Sequence, residues 1–129
     1  MRRARACAAA LATLAVIEDE GLLDRARTLG EHALVRLREL QREHPLIGDV
    51  CGLGLLLGVE LVRERRNRQR ASDEAERVMY RAMELGLSFK LSMGNVITLM
   101  PPLTITRQEL DEALDIIAQC VSEVERAPA

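Results

Sequence analysis

The sequence predicts an α+β fold, a small and mainly antiparallel sheet of about three to four strands covered by helices. Three observations predict it. Four stretches carry apolar residues at spacings of three and four, the period of an amphipathic helix. The shorter stretches between them alternate apolar residues with polar ones or glycine, the period of a strand. Glycine or proline stands where one period gives way to the other, at Gly21, Pro45, Gly86 and Pro101–Pro102. The 129 residues read as one domain, residues 1–129. A chain of that size buries roughly two-thirds of its unfolded surface.

The first helix covers residues 4–20, with Leu11, Leu14 and Ile17 at helical spacing and alanine on much of the rest. It starts without a recognisable cap. It is expected to be buried and to lead in from a larger structure upstream. The second helix covers residues 22–44. Leu22, Ala26, Leu29, Ala33, Leu37 and Leu40 form one stripe, and Arg25, Glu31, Arg38 and Glu39 face water. Pro45 ends it, since the residue before a proline avoids helical angles. Residues 46–62 read as two short strands or one bent strand. From Leu53 the alternation sets Leu53, Leu55, Leu57, Val59 and Leu61 on one face. Gly54 and Gly58 on the other face imply close approach of a helix or another backbone.

Residues 63–71 are charged and read as an exposed loop. Ser72 is the expected cap of the third helix, with Ala75, Val78, Met79, Ala82 and Met83 or Leu85 inward and Gly86 as its C-terminal cap. Residues 87–91 alternate as a strand, 92–95 turn, and 96–100 return as a second strand. Val96, Thr98 and Met100 fall on one face of that strand, Ile97 and Leu99 on the other. Pro101 and Pro102 cannot donate to a ladder and stop the pairing. Thr106 and Glu109 have the spacing of a capping box for the last helix, residues 107–125. The tail from Arg126 is expected to be loose.

Composition excludes several classes of function. The net charge is −2, and Tyr80 and Phe89 are the only aromatics, so neither a basic nucleic-acid footprint nor a stacking platform is present. No apolar stretch is long enough to span a bilayer. Cys7, Cys51 and Cys120 have no metal-ligand spacing with one another or with His32 and His44. They read as small buried thiols of a reduced, cytoplasmic protein. The glycines Gly52, Gly54 and Gly58 miss the dinucleotide fingerprint by one residue, and the pattern there continues as strand instead of opening a helix.

No nucleophile with an adjacent base stands out. Ser72, Ser88, Ser92 and Ser122 lack an elbow motif. His32 and His44 read as exposed polar residues, Asp49 as a turn residue and Glu60 as solvent-facing or paired. Lys90, the only lysine, sits in a predicted strand without neighbours that would lower its pKa, and reads as exposed.

Four segments together resemble the C-terminal domain of class III pyridoxal-phosphate (PLP) aminotransferases, the group that includes 4-aminobutyrate, ornithine and ω-amino-acid transaminases and dialkylglycine decarboxylase. They are the alanine-rich run from Ala6 to Ala12, residues 44–61 with His44-Pro45 and Gly52-Leu53-Gly54, Gly86 to Lys90, and Asn95 through Pro101-Pro102-Leu103 to Leu110. The similarity covers nearly the whole chain in order. It implies a small domain that closes the substrate cleft of a large PLP-bearing domain, and amino-group transfer between an amine or amino acid and a 2-oxo acid in the complete enzyme.

The resemblance assigns no catalytic, cofactor-binding or metal residue to this chain. Lys90 does not stand in the family's Schiff-base motif, so the chain alone is expected to hold no PLP and to be inactive. Thr98 stands where members acting on α-amino acids carry a carboxylate-binding arginine, and a hydroxyl cannot replace a guanidinium. That departure points to an amine, phosphorylated or phosphonate substrate. Thr98, Gly94 and Asn95 are the expected substrate contacts. The expected partner is the large PLP domain or a second copy docked through the first helix. The competing reading is a free-standing, non-enzymatic α+β module that dimerises or docks on a partner, with the first helix as its adhesive face.

Overall fold

Gly21 turns the chain between the first two helices. In a computed structural model that describes residues 2–127, α1 spans Arg2–Asp19 and α2 spans Leu22–Glu43, with Gly21 in the left-handed region at φ 59°. β1 (Ile47–Leu53) and β2 (Leu56–Glu64) follow as an antiparallel hairpin, then the two-residue β3 (Gln69–Arg70), α3 (Ser72–Glu84), β4 (Lys90–Ser92), β5 (Val96–Leu99) and α4 (Arg107–Arg126). All strand pairs are antiparallel. The sheet order is β1-β2-β5-β4, with β3 pairing the far end of β2.

One face of the sheet carries the core. Leu57, Val59, Leu61, Ile97 and Leu99 point inward from β2 and β5. Leu37 and Ala33 of α2, Val78 of α3, and Leu114, Ile117 and Val121 of α4 meet them and are fully buried. Burying each such aliphatic side chain contributes about 1.5–3 kcal/mol. Helices α2 and α4 lie side by side and α3 packs on α4, so one face of the sheet is clothed and the other is bare.

The last helix begins as its sequence specifies. Thr106 accepts from the Glu109 backbone N–H at 3.1 Å, and the Glu109 carboxylate accepts from the Thr106 backbone N–H at 2.8 Å. Gly86, at φ 92°, ends α3. The Gly86 N–H bonds the Met83 carbonyl at 3.1 Å and the Leu87 N–H the Ala82 carbonyl at 2.8 Å, the paired bonds of a Schellman ending. β5 stops before Pro101.

Several local expectations change. The alternation from Leu53 is broken at Gly54, whose φ of 55° makes a tight turn, and Leu53 is 87 % exposed at its edge. Residues 63–71 are exposed up to Arg70 but not wholly loop, because β2 runs on to Glu64 and pairs with β3. Ser72 is the first helical residue and makes no capping bond; Ala71 holds the cap position. The strand expected over 87–91 forms at Lys90–Ser92, with 87–89 irregular. Arg126, expected to open a loose tail, is helical, and Pro128 and Ala129 lie outside the described residues. Helix α1, expected to be buried, is exposed in this chain. Leu11, Leu14 and Val16 all face outward and only Ile17 is half-buried, because nothing else in residues 2–127 packs on that side.

Candidate functional site on the bare sheet face

The register of the sheet lines up four residues across its uncovered face. Cys51 pairs with Gly58, Gly58 with Thr98, and Thr98 with Lys90. Directly opposed residues of antiparallel strands share a face with Cβ atoms about 5 Å apart. The row therefore runs thiol, bare backbone, hydroxyl, ammonium. A second row, Asp49, Glu60, Val96 and Ser92, lies beside it.

Thr98 stands at the middle of β5 and is half-buried. Its hydroxyl is 2.7 Å from that of Ser92, across the β4–β5 hairpin. The hairpin turn is tight: Met93 has φ 53° and Gly94 φ 82°. A Cβ on Gly94 would lie 3.3 Å from the Ser72 hydroxyl, so the turn rests on the start of α3. Asn95 is buried, at 2 % exposure. Its side-chain amide donates to the Leu61 carbonyl at 2.9 Å, and its own carbonyl accepts from the Leu61 N–H at 2.8 Å. Of the three expected contact residues, Thr98 presents its side chain to the bare face, Gly94 forms the exposed turn tip, and Asn95 anchors the turn to β2.

Charge on this face is segregated. Arg68, at φ 54°, turns back to reach Glu60 at 3.1 Å and Asp49 at 3.6 Å. Those two acids are thus offset by one guanidinium at the β1–β2 end. Glu60 is paired, as expected, while Asp49 is a strand residue instead of a turn residue. Lys90 is exposed on the edge strand at the other end. Under it, Leu87, Phe89, Met100 and Pro101 help line a largely apolar cleft of about 340 Å³ that runs to α4 and also takes in Ser88, Lys90 and Thr98.

The thiols and histidines differ from their sequence reading. Cys7 and Cys51 are exposed, and only Cys120 is buried, where desolvation pushes its thiol above the ordinary value. A short side chain carries no information about whether its face is covered. His32 and His44 are not free surface residues. His32 Nε2 lies 2.6 Å from Asp111 Oδ1, and His44 Nδ1 lies 2.7 Å from Glu125 Oε2. Both pairs tie α2 to α4. The His32 hydrogen bond, with Arg36 behind it, holds the Asp111 carboxyl below its usual range.

These residues do not by themselves fit PLP. A Schiff-base lysine needs a desolvated setting to be nucleophilic, and Lys90 stands exposed at a sheet edge. The carboxylates of this face, which would have to meet the pyridine nitrogen, are two and three strands away on Arg68. The arrangement defines an α+β small domain that presents a surface: a sheet clothed on one side, open on the other, with hydroxyls, the Lys90 ammonium and the Arg68–Glu60–Asp49 cluster on the open side.

Comparison with known proteins agrees. Residues 4–121 match the family model described as aminotransferase class-III, and the chain belongs to that family. It is 48 % identical over 117 residues to a leucine/methionine racemase of Thermococcus litoralis, covering 91 % of this chain and 26 % of that protein. It is 48 % identical over 118 residues to an (R)-1-hydroxy-2-aminoethylphosphonate ammonia-lyase of Vibrio splendidus, covering 92 % and 25 %. Among solved structures, an aminotransferase of Bacillus anthracis superimposes with a TM-score of 0.85 at 34 % identity, over 92 % of this chain and 28 % of that one. The chain spans about a quarter of the length of the relatives it matches.

Proposed function

We propose that this chain serves as the small domain of a PLP-dependent class III enzyme, closing the substrate cleft with its bare sheet face and contributing Thr98, with Gly94 and Asn95 behind it, to the substrate side. PLP and the lysine that carries it belong to the large domain, which is the partner. The observation that carries the reading is the one-sided sheet. Its open face, together with α1, leaves Leu11, Leu14, Leu53, Leu56 and Met100 more than half exposed. Exposed apolar side chains grouped on an open sheet face mark a docking face. Dimerisation of the assembled enzyme and a cytoplasmic location belong to the same proposal.

The family description supports amino-group transfer as the reaction. A second reading rests on the relatives at 48 % identity, which are named as a racemase and an ammonia-lyase. In either case Thr98 cannot grip a carboxylate bidentately. The substrate anion is held in another way, and a phosphonate fits as well as a carboxylate.

A chimaera tests the proposal. This chain replaces the matched quarter of the Thermococcus litoralis racemase. PLP-dependent turnover of an amino acid or aminophosphonate by the folded chimaera is the expected result; a folded chimaera that binds PLP but turns over neither would overturn it. The isolated chain, mixed with PLP, is expected to give no aldimine absorption band. A band that disappears in Lys90→Gln would contradict the assignment of the cofactor lysine to the partner.

A further inference from the structure

We propose that the side chains of Gln41, Arg65 and Asp49 form a guard on the outer edge of β1 that keeps a second copy of this chain from adding to the sheet strand on strand. The inference concerns the edge of the sheet, not its bare face, and stands independently of the cleft-closing reading.

β1 is the long outer strand of the sheet. It has 7 residues, with β2 on one side and no strand on the other. The backbone N–H and C=O groups of such an edge are a template for another strand. Here side chains of the same chain take them up. Arg65 donates to the Ile47 carbonyl through Nε at 3.2 Å and Nη2 at 2.9 Å. Gln41 of α2 donates through Nε2 to the Gly48 carbonyl at 3.0 Å. The Asp49 carboxylate accepts the Val50 N–H at 2.9 Å. A backbone amide has one hydrogen, so Val50 has none left for an incoming strand. Arg65 also donates to the Gln41 and His44 carbonyls at the end of α2, and so pins helix and strand edge together.

The backbone adds to the block. The β1–β2 register slips between Ile47 and Asp49, which sets a bulge at Gly48. A bulge bends and twists an edge out of the plane a second strand needs. A Cβ at Gly48 would lie 2.6 Å from Val62 Cγ2, so the bulge rests on β2 with no room for a side chain. The opposite outer strand, β4, has only 3 residues and carries Lys90 exposed. Shortness and an edge lysine both discourage strand addition. β1 is therefore the edge at which two copies would pair, and the guard stands over its first half. The guard leaves the run Cys51–Leu53, which ends at the hairpin turn.

The test is sedimentation velocity and amide hydrogen exchange on the full 129-residue chain over a range of concentrations. The parent is compared with Gln41→Met, Arg65→Met and the double variant. Methionine keeps an unbranched apolar stem and removes the donors. Arg65→Met also loosens the end of α2, whereas Gln41→Met removes one side-chain bond to β1 and nothing else, so it keeps the test open if the other variants fail to fold. The double variant is expected to self-associate about tenfold more tightly than the parent, the effect of one or two freed backbone hydrogen bonds. Gln41→Met is expected to show a smaller increase in the same direction. Exchange at the β1 amides is expected to slow as concentration rises. Asn95→Ala, weakened at the β4–β5 turn, is expected to associate no more than the parent. Unchanged association of the folded variants overturns the guard. So does association that leaves the β1 amides unprotected, or an equal increase in Asn95→Ala, which would trace it to lost stability. None of these results touches the docking reading, which stands or falls with the chimaera.

Discussion

Gly30 of α2 lies against the backbone of Gly54 so closely that a Cβ at position 30 would sit 2.1 Å from the Gly54 carbonyl oxygen. The helix and the β1–β2 turn touch backbone to backbone there. The contact fixes where α2 crosses the sheet, and with it which sheet face is clothed.

Gly30→Ala separates two effects of opposite sign. Intrinsic helix propensity favours alanine over glycine by about 1 kcal/mol. Overpacking a rigid contact costs roughly 1–3 kcal/mol, more when backbone must move. The three atoms nearest a Cβ at position 30 are all Gly54 backbone atoms, at 2.1, 2.5 and 2.8 Å, so sterics wins. Urea unfolding followed by circular dichroism is expected to show a net loss of about 2 kcal/mol or more. A stabilised variant would mean that α2 and the turn are free to separate.

Acid lowers the stability through carboxylates held below their ordinary values. The His32 hydrogen bond and Arg36 depress Asp111, and the Arg81 guanidinium and the Gln119 amide depress Glu123. A carboxyl with a folded pKa below its unfolded one contributes stability that is complete above the unfolded value of about 4, and loses it as pH falls through the folded value. The melting temperature is therefore expected to drop as pH falls below about 4. Asp111→Asn is expected to melt lower than the parent at neutral pH, with the difference closing below that range. A difference that persists in acid would place the effect in packing instead of charge.

The three thiols are expected to react in two classes. Cys7 and Cys51 are exposed and Cys120 is buried beneath α4 with its thiol pKa raised, so less of the thiolate forms. A disulfide reagent added to the native chain is expected to modify two thiols quickly and the third only after denaturant. Fast reaction of all three would show that α4 opens readily. Docking of a partner domain on the bare face is expected to slow Cys51.

Local rules made the helices, the Thr106–Glu109 capping box, the Pro101 stop and the inward stripe of α2 legible in the sequence. Each depends on residues within a few positions of one another. Two short strands were one of the two readings of this stretch, but the place of the turn at Gly54 was not legible, because Leu53, Leu55 and Leu57 keep the alternation of a continuous strand while a single positive φ reverses the chain. The histidine partners were out of reach as well. Asp111 lies 79 residues beyond His32 and Glu125 lies 81 beyond His44, and no local pattern pairs them. Thr98 could be placed on a strand face from alternation, but its neighbour Lys90 follows only from the hairpin register. Gly94 and Asn95 could be placed in a turn, yet the burial of Asn95 depends on β2 lying beneath it.

Asn95 offers the sharpest test of that turn. Its amide donates to the Leu61 carbonyl, which also accepts from the Ala71 N–H at 3.1 Å. Asn95→Ala leaves that carbonyl with one donor, so the expected loss is small, about 1 kcal/mol. Asn95→Asp keeps the shape but aims a carboxylate at the same carbonyl in a buried setting, where an unpaired charge costs several kcal/mol before the group protonates instead. The aspartate is therefore expected to be the worse variant at neutral pH, although it is the closer isostere. Its folded pKa would lie above the unfolded value. The penalty is absent below about pH 4, where the protonated acid can donate to Leu61, and grows as pH rises. Unfolding free energies of both variants across that range measure this directly. An aspartate variant as stable as the alanine one at neutral pH would show that the side chain at 95 reaches water, and that the β4–β5 turn is not pinned to β2 as the Leu61 bonds require.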